Sequence, residues 1–150
     1  MTRWLALALL VAAAGCAGPA PIAPPPGAAE RAAATDWSRA ETITVTLDEF
    51  VFLPDAVALR VGQPVRLRFE NTGARPHDWT SPTFFRTVAF RPGDAQAASV
   101  LASGGSVDVP PGGAREVTLV PLSPIAGEVT CVKPLHATLG MTGRVVVAQN

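Results

Sequence analysis

Three side chains with metal-binding chemistry lie close together near the C-terminus of the chain. Cys131, His136 and Met141 supply a thiol, an imidazole and a thioether in the spacing C-x4-H-x4-M. The segment lies between two predicted strands, so the chain must return on itself and present these side chains to one region. Pro134 fixes φ and Gly140 tolerates a positive φ, as a tight loop requires. The spacing therefore predicts a ligand-bearing loop.

The donor types narrow the choice of metal. A thiolate with imidazole suits zinc or copper, but structural zinc sites do not use the soft, weak thioether sulfur of methionine. Two histidines, one cysteine and a long axial methionine are the ligand set of a type 1 (blue) copper site. The sequence contains one further histidine, which follows the turn residues 71–73. The predicted ligands of one mononuclear copper ion are therefore His77, Cys131, His136 and Met141.

A cysteine–histidine nucleophile is the enzymatic alternative for the same loop. Cys131 and His136 share a short segment, and no third side chain that could orient the histidine is evident. A lone type 1 centre leaves no open position for a substrate, and multicopper enzymes need more than the two histidines present. We therefore predict a protein that is not an enzyme and has no small-molecule substrate.

The chain from about Glu41 to Val147 resembles the cupredoxins, the family of plastocyanin, azurin and rusticyanin. The resemblance rests on a histidine after an Asn-containing turn, on the C-x4-H-x4-M loop, and on Gly143 before the valine-rich residues 145–147. It implies an all-β, Greek-key antiparallel sandwich with a type 1 copper site. It also implies one-electron transfer through the exposed edge of His136. Residues 125, 127 and 129 depart from the family pattern because they are not aromatic.

Three residues beside the predicted ligands are expected to support the site. Asn71 begins the turn before His77, and Thr130 directly precedes Cys131. Asp78 stands where many family members have an asparagine that links the two ligand loops. An ionised Asp78 would favour Cu(II) and lower the reduction potential, whereas a protonated one could donate a hydrogen bond as asparagine does. The sequence leaves both states open.

The neighbours of the ligands offer two interpretations each. Arg75 and Lys133 form either a cationic rim that steers an acidic partner or ordinary solvated charges. Pro134, Leu135 and Leu139 form either an apolar docking patch or the packing of the loop against the sandwich.

Two functions are compatible with the predicted site. One is a one-electron Cu(I)/Cu(II) carrier that exchanges electrons with redox partner proteins. The other is a copper-handling protein, a chaperone or store, without an electron-transfer role. The chain has two methionines and no His/Met-rich tail, which favours the carrier.

Alternating residues predict the strands that must position these ligands. Val65, Leu67 and Phe69 alternate with charged residues and are expected to face the core. Strands are predicted at residues 42–47, 57–60, 65–70, 85–90, 106–109, 115–120, 128–131 and 144–148, with a helical turn or two within 94–102. Many short strands with Gly and Pro between them favour an antiparallel sandwich.

The N-terminal forty residues are not expected to belong to that sandwich. Residues 1–15 are typical of a signal peptide, because an apolar stretch too short to span a bilayer follows Arg3. The stretch ends at a lipobox-like Cys16, predicted to be lipidated. Ordinary cleavage after Ala14 is the alternative. Residues 16–40 hold five prolines between Pro19 and Pro26 and are interpreted as a Pro/Ala-rich linker.

These segments predict an exported, periplasmic lipoprotein with a copper-binding domain at residues 41–150. Twelve basic and twelve acidic residues cancel without a basic stripe, so no nucleic-acid partner is expected. With Cys16 acylated, Cys131 would be the only thiol left, and a metal would protect it in an oxidising compartment.

Overall fold

The computed structural model describes residues 18–149, and within them ten strands form two five-stranded sheets. Three short α-helices and one 3-10 helix connect or flank the strands. The strands are β1 (Glu41–Asp48), β2 (Val51–Leu53), β3 (Ala56–Arg60), β4 (Val65–Asn71), β5 (His77–Thr80), β6 (Val88–Phe90), β7 (Ser106–Val109), β8 (Ala114–Pro121), β9 (Ile125–Thr130) and β10 (Thr142–Ala148). The helices are α1 (Ala28–Ala34), α2 (Pro82–Phe85), α3 (Ala97–Ala102) and the 3-10 helix Trp37–Arg39.

The two sheets pack face to face as a sandwich. The first has the order β2-β1-β4-β8-β6 and the second β3-β10-β9-β5-β7. Val65, Leu67 and Phe69 of β4 are buried while their neighbours are half-buried, which confirms the predicted alternation. The predicted β-sandwich is confirmed, but it is not wholly antiparallel, because β1 pairs in parallel with β4 and β3 with β10.

The predicted strands are found with small shifts at most positions, and three differences stand out. Residues 82–85 form α2, so the strand predicted at 85–90 is reduced to β6. β2 was not predicted. His77 begins β5 itself, whereas the sequence placed it in the segment after a strand. The helix expected within 94–102 is α3.

An aromatic cluster fills the core beneath β5. The ring of Trp79 lies 5.2 Å from Phe69, 5.9 Å from Phe84 and 5.7 Å from Phe85, measured between ring centroids. All four side chains are buried. These rings supply the aromatic packing that residues 125, 127 and 129 of β9 do not.

Residues 18–40 differ from the extended linker expected there. Ile22 is buried in the main core, and its N–H donates to the carbonyl of Leu101 at 2.9 Å. Ala28 and Ala32 of α1 pack against Ala89 and Val120 of the sandwich. The segment is therefore partly a cover for the sandwich, although the boundary at residue 41 stays a prediction. The signal peptide and Cys16 lie outside the described residues, so both also stay predictions.

In the described part of the chain, no helix is both long and apolar enough to cross a membrane.

Candidate metal centre

His77 is placed by a turn that the side chain of Asn71 organises. The Asn71 amide nitrogen donates to the carbonyls of Arg75 (2.8 Å) and Val109 (2.9 Å). Its amide oxygen accepts from the N–H of Gly73 at 2.9 Å. Since these bonds fix the backbone from 71 to 75, the first residue of β5 enters the sandwich with its imidazole fully buried.

The other predicted ligands lie on the loop between β9 and β10. Its two ends meet, because the N–H of Cys131 donates to the carbonyl of Met141 at 3.1 Å. The N–H of Met141 in turn donates to the carbonyl of His136 at 3.0 Å. Leu135 (φ 69°) and Gly140 (φ 106°) adopt positive φ, which makes the loop compact. The returning loop predicted from the sequence is present.

Three predicted ligands converge at this end of the sandwich. The Nδ1 atoms of His77 and His136 are 3.1 Å apart, and the Sγ of Cys131 lies 3.3 Å from Nδ1 of His136. The ligand atoms of all three lie within 4.8 Å of one another, and all three residues are buried. Met141 is also fully buried, with its backbone bonded to both Cys131 and His136.

Asp78 links the two ligand-bearing segments. Its Oδ1 accepts from the N–H of Val132 at 2.8 Å and from the hydroxyl of Thr80 at 2.8 Å. Its own N–H donates to the Sγ of Cys131 at 3.5 Å. The carboxyl acts as an acceptor in both of these hydrogen bonds and joins β5 to the loop that follows Cys131. Thr130 ends β9 and pairs with Thr80 in β5, which sets the position of Cys131.

The cations near the site are not equivalent. Lys133 forms ion pairs with Asp108 and, at 3.7 Å, with Asp78. Burial alone would lower the pKa of Lys133, but its hydrogen bond to Asp108 and the charge of Asp78 raise that pKa overall. The backbone N–H of Arg75 donates to the carboxylate of Glu49 at 2.9 Å. Of the two predicted rim residues, Lys133 is therefore largely neutralised by its acidic neighbours.

Burial also shifts the titration of the ligands. Desolvation raises the pKa of the Cys131 thiol, against the smaller effect of the N–H groups of Asp78 and Lys133. Desolvation and then the proximity of His77 lower the pKa of His136. At neutral pH the metal-free site therefore holds a thiol beside a neutral His136, and a metal bound through the thiolate must displace the thiol proton.

Two residues at the site were missed from the sequence. Glu49 and Phe50 connect β1 to β2, about thirty positions before the first predicted ligand. Glu49 Oε1 lies 3.5 Å from Nε2 of His77. The ring of Phe50 meets the ring of His136 edge-on, with centroids 4.9 Å apart. No local spacing connects this dipeptide to the histidines, so only the three-dimensional fold reveals it.

Comparisons with known proteins identify the family of this chain. A family model described as a cupredoxin-like domain matches residues 6–147. The chain belongs to the cupredoxin-like family. A search of curated proteins found no significant match.

Solved structures show the same cupredoxin fold at low sequence identity. A dithionite-reduced auracyanin from the photosynthetic bacterium Roseiflexus castenholzii is 22% identical, with a TM-score of 0.51, over 71% of this chain and 96% of its own. Auracyanin B is 20% identical, with a TM-score of 0.50, over 73% and 90%. A multicopper oxidase from Campylobacter jejuni is 12% identical, with a TM-score of 0.53, over 73% of this chain and 30% of its own.

The donor set of this cupredoxin fits copper. Two imidazole nitrogens and the sulfur of the buried Cys131 converge in one space that is closed to solvent. Histidine and cysteine together suit copper, and a buried methionine beside them matches copper better than zinc. The cluster and the fold together point to copper binding.

Three apolar side chains on the loop that carries His136 are exposed. His136 itself is 5% exposed, whereas Val132, Leu135 and Leu139 are 63%, 72% and 57% exposed. The two leucines therefore do not pack against the sandwich, which was one of the two interpretations of these residues. We call Val132, Leu135 and Leu139 the loop patch.

Proposed function

We propose that this cupredoxin is a type 1 (blue) copper protein that carries one electron at a time. The observation that supports this best is the convergence of His77, Cys131 and His136 within 4.8 Å in a buried, hydrogen-bonded site. Met141 is proposed as the weak axial ligand, since it is buried and its backbone bonds to two of the others. Bound copper would supply the Cu(I)/Cu(II) couple.

The protein's own contribution would be a rigid coordination geometry. His77 is held by the turn at Asn71, and the loop of Cys131 is held by the carboxylate of Asp78. The N–H of Asp78 also donates to the cysteine sulfur. A site fixed in this way changes little when an electron arrives or leaves, which favours fast transfer over ligand exchange.

The proposed route for the electron is the edge of His136. Its ring is the predicted ligand next to the loop patch, and that patch is apolar and exposed. An apolar surface of this kind allows brief contact with a redox partner without a strong ionic lock.

A copper-handling role is the alternative, and the geometry favours it less. A handler must release its ion, whereas the ligands here are buried and belong to backbone-bonded segments.

The absence of enzymatic activity is likewise a proposal, based on the single site described above. Export and a lipid anchor at Cys16 are proposed from residues 1–16 of the sequence alone.

Voltammetry and chelator challenge of the purified copper-loaded protein would test carrier against handler. A carrier should give one reversible one-electron wave and retain copper in both oxidation states when a chelator is added. Rapid transfer of Cu(I) to the chelator, with no reversible wave, would favour the copper handler.

A further inference from the structure

We propose that Glu49 is a positioning residue for His77. Its carboxylate accepts a hydrogen bond from Nε2–H of His77 and thereby influences the reduction potential and the retention of the metal. This inference rests on the proposed function, because it concerns the copper-bound state. Nδ1 of His77 faces His136 and the thiol, so the metal would take this nitrogen. The ring proton must then lie on Nε2, which becomes an obligatory donor.

The Nε2 edge of the ring lies next to Glu49. His77 is fully buried, and its Nε2 has no hydrogen-bond partner among residues 18–149 by strict geometry. The carboxylate oxygen Oε1 of Glu49 lies 3.5 Å away, a few tenths of an ångström beyond a normal N–H···O bond. A small approach on metal binding therefore completes a carboxylate–histidine–metal arrangement, the common way to orient such a ligand.

The carboxylate is held in place by the turn before His77. The N–H of Arg75 donates to Oε1 of Glu49 at 2.9 Å. Gly73 leaves the necessary space, because a Cβ there would lie 2.7 Å from the same oxygen. The turn is thus closed around the Glu49 carboxylate, which is only partly exposed to solvent.

Two consequences follow for the copper site. The hydrogen bond fixes the imidazole and raises its basicity, which slows loss of the metal. The negative charge favours Cu(II) over Cu(I), which lowers the reduction potential. The neighbouring Phe50 packs edge-on against His136, so one dipeptide contacts both histidines from outside.

Two variants separate the charge from the hydrogen bond. Glu49→Gln keeps an oxygen that can accept from Nε2–H but removes the charge, so we expect a higher reduction potential with little change in copper retention. Glu49→Ala removes both, so we expect copper to pass to a chelator about 10- to 100-fold faster as well. Glu41→Gln is the matched control, because Glu41 begins β1, the strand that Glu49 directly follows at its other end.

The measurements are the potential by voltammetry, chelator-driven copper loss, and thermal unfolding of the metal-free proteins. Unchanged unfolding in Glu49→Gln would show that a shifted potential is not a folding defect. Potentials that agree among wild type, Glu49→Gln and Glu41→Gln, with equal copper loss in Glu49→Ala, would overturn the inference and leave the copper site intact. A wild-type protein that binds no copper would instead contradict the proposed function, and this inference with it.

Discussion

Replacing Asp78 with alanine should destabilise the metal-free protein far more than replacing Asp108 with asparagine. The two residues pair directly across β5 and β7, so they share a register but differ in burial. Asp78 is buried and accepts two hydrogen bonds, whereas the Asp108 side chain is 62% exposed and forms an ion pair with Lys133. Both residues also form an ion pair with Lys133, so the larger effect at Asp78 is expected from its buried hydrogen bonds.

The magnitude follows from the donors left behind. Without the carboxylate, the N–H of Val132 is left unpaired, at a cost of about 1–3 kcal/mol. The hydroxyl of Thr80 keeps its 2.7 Å contact with the hydroxyl of Ser106, so the loss of its bond to Asp78 adds only about 0.5–1.5 kcal/mol to this cost. We expect a loss of roughly 2–4 kcal/mol for Asp78→Ala and at most about 1 kcal/mol for Asp108→Asn.

Urea unfolding of the metal-free proteins, followed by tryptophan fluorescence, measures both values. The slope with urea should stay unchanged, since neither variant alters the buried surface greatly. Asp78→Asn should lie between the two, because it retains the acceptor for Val132. Equal stabilities of Asp78→Ala and Asp108→Asn would refute the assignment of Asp78 as the link between the two ligand segments.

Three further outcomes are expected. Burial lowers the pKa of His136 from its ordinary value of about 6.5, so protonation favours the unfolded chain. The free energy of unfolding of the metal-free protein, measured with urea, should therefore fall as the pH drops below about 6.5, and this group should have no further effect on it above that pH. Leu135→Glu should leave the visible spectrum of the copper protein unchanged but slow electron self-exchange measured by NMR line broadening, and an unchanged rate would argue against docking at the loop patch. Gly73→Ala should lower the thermal midpoint only slightly, because the added Cβ would lie 2.7 Å from the Glu49 carboxylate, the far end of a flexible side chain that can move away. A large drop would show instead that the turn holds this carboxylate rigidly.

The fold was predictable wherever one face of a strand is buried. Val65, Leu67 and Phe69 alternate with polar residues, and the structure places them in the core. β5 escaped prediction because its first three residues, 77–79, are all buried and include a histidine and an aspartate. A strand buried on both faces has no alternation to detect.

The contacts of the N-terminal segment were not predicted because composition does not reveal docking. Prolines and alanines suggested an extended spacer, yet Ile22 and two alanines of α1 find apolar partners on the sandwich. A single isoleucine in a Pro-rich stretch is a weak signal by itself. The burial of Ile22 depends on core residues that come together only in the folded sandwich.

The candidate ligands were predictable because their residue types are rare in this chain and three of them share one loop. The residues around these ligands were harder to predict from the sequence. Asp78 was expected beside the metal, and the structure adds which donors it accepts from. Glu49 was not expected, since its contact with His77 joins segments that are distant in sequence.

Titration of the purified metal-free protein with Cu(II), beside a Cys131→Ser variant, tests the central claim most directly. We predict an intense thiolate-to-copper band in the visible spectrum that saturates at one equivalent, is bleached reversibly by a mild reductant, and is absent in the variant. A wild-type protein without that band, or a band that survives in Cys131→Ser, would contradict the assignment of a type 1 copper site.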